Sequence, residues 1–346
     1  MRQLTFIEPR RLEWWDVPAP RLAADTDAIV RPLAVARCDL DLYIATGFVS
    51  TYPGPFAFGH ETVGEVVEAG DAAGVSPGDR VVVPFQLSCG RCATCRKGWT
   101  NACEAYPFAA AYGLAPTSGR DFGGALSDLI HVPFADHMLV PLPPGVDPVV
   151  AASLSDNIAD GWRAVGPQLA ERPGATVLVI GGLAQSVGLY AAGAAVALGA
   201  GRVLYLDDDA GRRDRARAMG AEAEPLALAE GRQPDQPFDI VAEAAGTEAA
   251  LGFAIRSCAP NGVLTSMAIH LGALTAVPLT RAYYKGITFH TGRVQSRPIF
   301  PQALDCIACG RFHPQDVTHR VATFADAADL MTDPGPKLIF RCEAAD

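Results

Sequence analysis

Four cysteines fall within fifteen residues, at Cys89, Cys92, Cys95 and Cys103, in a C-x2-C-x2-C-x7-C spacing. Zinc takes four ligands in a tetrahedron, and its structural sites favour thiolates. Gly90 and Gly98 let a loop fold round an ion. All four positions are sulfur and no histidine lies inside the cluster. No coordination position is left open, so a structural zinc is expected rather than a catalytic one. An iron–sulfur cluster is the rival, since similar spacings hold clusters; four unrelated thiols on a loop is the bland alternative.

A second set is more scattered: Cys38, and the triplet Gly59-His60-Glu61. Each is weak alone, because a lone cysteine is usually a small buried hydrophobe. Cys306 and Cys309, with His313 beyond them, imitate a metal motif. They are expected on a helix over residues 301–309 with both thiols packed inward. His270, His290 and His319 have no ligand partners at suitable spacing and read as structural or cofactor-adjacent. Arg320 has the reach for a cofactor phosphate, though nothing requires it.

These residues need a scaffold. The chain has 346 residues, enough for two domains. Hydrophobic residues make up 49% and charged residues 19%, a globular composition. The net charge of -10 argues against nucleic acid or an anionic membrane as partner. No basic segment followed by an apolar run opens the chain, so no signal peptide is expected and a cytoplasmic location follows. Nine cysteines in that setting point to metal or thiol chemistry rather than disulfides.

Residues 1–150 carry short β-like runs (28–33, 63–67, 81–84) with Gly and Pro punctuation, suggesting a partly open barrel. Four prolines over residues 140–148 read as a boundary. From there, apolar strands at 177–180, 203–206, 238–241, 262–266 and 288–290 alternate with helices, one running to about 198 and another over 212–219. That alternation implies an α/β, doubly wound parallel sheet. Residues 173–201 are uncharged and long enough to span a bilayer, but Gly181 and Gly182 split them into a strand and a helix. The tail from about residue 293 is expected to rejoin the first domain. The domains are therefore placed at 1–150 with 294–346, and at 151–293.

In order, the chain carries Cys38-Asp39-Leu40-Asp41, Gly59-His60-Glu61-Thr62-Val63-Gly64-Glu65-Val66, Pro77-Gly78-Asp79-Arg80-Val81, the four cysteines, and Pro336-Lys337-Leu338-Ile339. It resembles the zinc-containing medium-chain alcohol dehydrogenase family over essentially its whole length. The resemblance implies a GroES-like β-barrel catalytic domain, a Rossmann domain, two zinc ions per chain, and a homodimer or homotetramer. It implies a catalytic zinc between the domains, held by Cys38, His60 and a third group. Many members supply a cysteine there; this chain offers Ser155-Asp156-Asn157 followed by Gly161-Trp162, a spacing similar to bacterial members that use aspartate, so Asp156 is the expected ligand. Glu61 resembles the glutamate beside the metal, and Asp41 the aspartate that orients the liganding histidine. Zinc is a Lewis acid that lowers the pKa of a bound alcohol. It has no redox chemistry, so a nicotinamide must carry the hydride.

The cofactor turn would be Gly181, Gly182, Ser186, Val187 and Gly188, two residues longer than the common fingerprint but set between an apolar strand and a helix. Glycines there allow pyrophosphate to approach a helix N-terminus. Asp207, at the end of the next strand, is expected to accept the adenosine ribose hydroxyls. With Asp208 and Asp209 it favours NAD over NADP, an inference softened by the nearby Arg212 and Arg213. Asp208 and Asp209 also suit a turn and a helix N-cap.

The chain departs from the family where proton transfer is expected. Many members place Ser or Thr two residues after the first cysteine ligand; here it is Leu40. A histidine often follows at the fifth position; here it is Tyr43. Water, Tyr43 or Glu61 is the expected substitute. Leu40, Phe48, Trp162 and Phe122 suggest an apolar substrate pocket, or simply core. The leading function is an NAD-dependent alcohol dehydrogenase acting on a small alcohol or carbonyl. The alternatives are a reductase of a more elaborate carbonyl or activated double bond, and a cofactor-binding regulatory protein with weakened catalysis.

Overall fold

The structure is a computed structural model that describes residues 1–226, 234 and 236–342. It divides into two compact units: Met1–Ala159 with Gln295–Ala308 and Thr318–Asp346, and Asp160–Val294 with Cys309–Val317.

The first unit is built on a seven-stranded sheet. Its path runs Arg320–Thr323, Leu338–Arg341, Ala28–Ala36, Glu61–Ala69, Arg80–Val83 and Val140–Pro141, with Ile130–Val132 also pairing Ala28–Ala36. A smaller sheet joins Arg11–Asp16, Arg2–Glu8 and Phe56–Ala57. The antiparallel pair Ala28–Ala36 and Glu61–Ala69 matters most. Its register slips between Pro32 and Ala34, because proline has no N–H for the ladder. Gly64 pairs with Pro32, and a Cβ at Gly64 would stand 2.4 Å from Val30 Cγ1 and 2.6 Å from the Arg31 carbonyl oxygen. Beyond the slip, Ala36 pairs with Glu61. Cys38 leaves the first strand two residues after that pair, and His60 enters the second one residue before it. Register alone brings them to the same end of the ladder.

In the second unit six strands are all parallel: Glu222–Glu224, Arg202–Leu206, Thr176–Ile180, Phe238–Glu243, Cys258–Ser266 and Thr288–His290. In chain order this is 3-2-1-4-5-6, the dinucleotide-binding arrangement. Its central strands are buried on both faces, which is why they read as unbroken apolar runs. Glu222–Glu224, a polar edge strand, carried no such signal.

Two local expectations change, and a third, the division of the uncharged stretch, holds. The helix expected over 301–309 spans Ser296–Ala308, with Pro301 inside it. Cys306 is buried as expected, but Cys309 lies past the helix end and is exposed. The helix expected over 212–219 begins at Ala210, because Asp209 caps it by accepting the Arg212 N–H at 2.7 Å. The uncharged stretch 173–201 divides into strand Thr176–Ile180 and helix Gln185–Ala197. Among the described residues no helix is long and apolar enough to cross a membrane.

Candidate active site and metal centres

Cys89, Cys92, Cys95 and Cys103 converge, with their sulfurs all within 4.8 Å of one another. All four are free thiols. Backbone N–H groups point at the sulfurs: Cys89 N–H to Cys103, Arg91 to Cys89, Cys95 to Cys92, and Ala105 to Cys103, at 3.3–3.4 Å. Donors aimed at sulfur stabilise thiolate, the form that binds metal. Gly90 has φ +69°, and a Cβ there would lie 2.4 Å from the His137 ring, so the turn needs glycine. Sulfur from four sides, with no carboxylate in the set, fits a closed zinc site. Cys306, Cys309 and His313 form no such group among the described residues.

Cys38, His60 and Asp156 form the second group, again within 4.8 Å. Cys38 caps the helix Asp39–Thr46, its sulfur accepting the Leu40 N–H at 3.4 Å. Asp41, buried in that helix's first turn, accepts the Cys38 N–H at 3.0 Å and faces His60 Nδ1 at 3.3 Å. One carboxylate thus holds the cap and lies against the imidazole. Asp156 follows the short helix Ala152–Ser155, which is tied to the strand Glu61–Ala69: Ser155 Oγ accepts the Thr62 N–H at 2.9 Å and donates to the Thr62 carbonyl at 3.1 Å.

The donor set fits zinc. Asp156 Oδ2 stands 3.4 Å from both Cys38 Sγ and His60 Nε2. Ligands about 2.0–2.3 Å from a tetrahedral centre stand roughly 3.3–3.8 Å apart. His60 Nε2 is buried and makes no hydrogen bond among the described residues, as expected of a nitrogen kept for a metal. Burial, then Asp156, push the Cys38 thiol up to about 12. A metal binding the thiolate at neutral pH must therefore displace a proton. Zinc at this centre is expected to tighten at least about tenfold per unit of rising pH between about pH 6 and 8. Chelator competition across that range checks it; a flat response would mean that the thiol is already ionised.

Behind the centre lies a polar network that sequence reading missed. Glu61 is buried and accepts from Ser153 Oγ at 3.0 Å, the Asn157 N–H at 2.7 Å and Lys337 Nζ at 2.8 Å. Burial raises its carboxyl to about 7, against the pull of Lys337. The fully buried Lys337 also donates to the Arg37 carbonyl at 2.9 Å and Asn157 Oδ1 at 2.7 Å. The one sequence hint was a lone lysine heading the apolar strand Leu338–Arg341.

In the second unit, Gly181 and Gly182 turn the chain from strand to helix. A Cβ at Gly181 would lie 2.2 Å from Asp207 Oδ2, and at Gly182, with φ +152°, 2.6 Å from Ala245 Cα. Gly188 approaches Gly181 and Ala244, while Ser186 and Val187 are buried. Asp207 is buried and already accepts four hydrogen bonds: Tyr205 OH, Arg212 Nε and an Arg212 terminal nitrogen, each at 2.7 Å, and the Asp209 N–H at 2.8 Å. The arginine expected merely nearby is locked onto the carboxylate.

The candidate pocket residues belong to both units. Leu40 is half-buried in the first turn of the Asp39–Thr46 helix. Tyr43 packs against Phe48 with the rings tilted by 48°, and Phe48 is 61% exposed. Phe122 packs edge-on to Tyr106, near the cysteine lobe. Trp162 is buried in the second unit against Phe312.

The comparisons agree with this geometry. Residues 24–144 match the family "Alcohol dehydrogenase GroES-like domain", and residues 186–308 match "Zinc-binding dehydrogenase". The chain is 32% identical over 305 residues to a probable zinc-binding alcohol dehydrogenase of Mycobacterium tuberculosis, covering 85% of this chain and 75% of that protein. It is 30% identical over 289 residues to a medium chain reductase/dehydrogenase of an Acremonium species, covering 79% of this chain and 95% of that one. Among solved structures, alcohol dehydrogenase TADH from Thermus sp. ATN1 superposes with a TM-score of 0.88 at 30% identity, covering 99% of this chain and 100% of that one. With a closed four-sulfur site, a Cys-His-Asp site and a 3-2-1-4-5-6 sheet, the chain belongs to the zinc-containing medium-chain alcohol dehydrogenase family and is a zinc-dependent NAD(P) oxidoreductase.

Proposed function

We propose that the protein transfers hydride reversibly between a CH–OH group, or its carbonyl, and NAD. The observation that carries this is the convergence of Cys38, His60 and Asp156: three ligands leave one of four zinc positions for a substrate oxygen. Zinc, when bound, supplies Lewis acidity toward that oxygen. The chain's own residues do the rest. Asp41 holds the imidazole; Asp207 and Gly181–Gly182 offer the cofactor site.

The proton route is this chain's own. Leu40 carries no proton. Glu61, next to His60 in the chain, has donors on both oxygens. That leaves Tyr43 and water to pass the proton. Leu40 also favours a second reading, reduction of a bulkier carbonyl or activated double bond, in which no alcohol relay is needed.

A panel of alcohols, aldehydes and ketones, followed by NADH absorbance, tests both readings. Alcohol turnover is expected in protein with two zincs. Leu40→Ser is expected to raise alcohol oxidation and move its pH profile downward, since a positioned relay contributes about 10²-fold or more. Protein with two zincs that turns over no alcohol or carbonyl would overturn the proposal. Turnover of carbonyls alone, with no response to Leu40→Ser, would select the second reading.

A further inference from the structure

We propose that Asn157 is a positioning residue that carries the buried Lys337–Glu61 pair to two ligands of the second metal centre. It rests on the reading of Cys38, His60 and Asp156 as that centre.

An ammonium has donors and no acceptors. Lys337 Nζ, 2.7 Å from the Asn157 side-chain oxygen, therefore fixes which end of the amide is oxygen. The NH2 end must then face the other way. There it meets Cys38 Sγ at 3.3 Å and Asp156 Oδ2 at 3.1 Å, one hydrogen for each. The backbone N–H of Asn157 is held by Glu61 Oε1 at 2.7 Å. The residue is thus pinned on both its backbone and its amide, and it is buried. Glutamine is too long for this position, and an apolar side chain would leave both Lys337 and the two ligands one partner short.

The consequence is electronic as well as steric. A donor on a metal-bound thiolate withdraws electron density from sulfur, which preserves the metal's Lewis acidity. A donor on Asp156 Oδ2 fixes which lone pair is left for the ion. Partners of this kind, next to the ligands themselves, typically change metal affinity or activity by about 10–100-fold when removed. Glu61 and Lys337 form one buried pair at 2.8 Å, and Asn157 is held by both of its members.

The test uses the full protein with cobalt(II) in both sites and, separately, with zinc. Asn157→Asp keeps the size and the acceptor toward Lys337 but turns the donor end into an acceptor. Asn157→Ala removes both. Each is expected to shift the sulfur-to-cobalt charge-transfer band of the Cys38 site to longer wavelength, and to speed zinc release from that site about 10–100-fold. Release from the four-cysteine site should not change, and its retention shows that the variants are folded. Two bound cobalt ions with an unmoved band and unchanged release in both variants would overturn the role of Asn157. So would loss of both sites together, which would make it a folding residue. Wild-type protein that binds only one cobalt would instead remove the metal centre on which the proposal rests.

Discussion

His60→Ala is expected to lose the second zinc while keeping the first, and to lower kcat/KM by about a thousandfold or more. The His60 side chain is fully buried between Asp41 and Asp156, with its ring 5.5 Å from that of Phe85. Alanine leaves Asp41 and Asp156 facing each other across a void with no cation between them. Two ligands, Cys38 and Asp156, cannot hold zinc at the affinity of three. Metal-ion catalysis supplies several kcal/mol, and about 4 kcal/mol corresponds to about 10³ in rate. Metal analysis and steady-state kinetics on the same preparation check this. Cys309→Ser, at an exposed thiol outside both centres, is the control and should keep two zincs. A His60→Ala protein with two zincs and activity within tenfold of wild type would exclude His60 as a ligand.

How far the sequence showed these features depended on whether the determining interaction was local. The cysteine lobe is a single loop, so its spacing carried its chemistry directly. The parallel strands were legible because burial on both faces leaves apolar runs, and the glycine turn because it joins such a run to a helix. Cys38, His60 and Asp156 were legible as a set only through the resemblance to the family. The strand register that pairs Ala36 with Glu61 and the Ser155–Thr62 hydrogen bonds that join them are long-range facts. Of the Lys337–Glu61–Asn157 network, Glu61 alone was singled out, and its partners were not. The network's partners lie 180 and 276 residues apart, and nothing local marks a lysine that will be buried with three acceptors. Asp207 showed the same limit on a smaller scale. Its place at a strand end marked it as an acceptor, but not that Tyr205 and Arg212 would occupy its oxygens.

That occupancy makes the strongest prediction about the cofactor. Arg212 puts two guanidinium nitrogens on Asp207, and its own pKa is raised despite burial because the carboxylate holds it. A ribose diol reaching Asp207 must compete with this arginine, while a 2′-phosphate would find the arginine half-neutralised. On the proposed role of Asp207 as the ribose acceptor, the two residues oppose each other in cofactor choice. Arg212→Ala uncovers acceptor positions and a bare negative charge on Asp207. It is expected to raise selectivity for NADH over NADPH by about 10–100-fold, the worth of one charge-assisted contact of about 1.5–3 kcal/mol. Asp207→Ala frees Arg212 for phosphate and should shift selectivity by a similar factor in the opposite direction. Tyr205 then loses the acceptor for its buried hydroxyl, so Asp207→Asn is the milder companion and should follow the same sign. Fluorescence titration with NADH and NADPH at fixed ionic strength measures both ratios. Opposite signs from the two substitutions are the diagnostic result, because a general loss of folding would weaken both cofactors alike. Ratios that move together, or by less than about threefold, would place the Asp207–Arg212 pair away from the 2′ position and return cofactor choice to the backbone of the glycine turn.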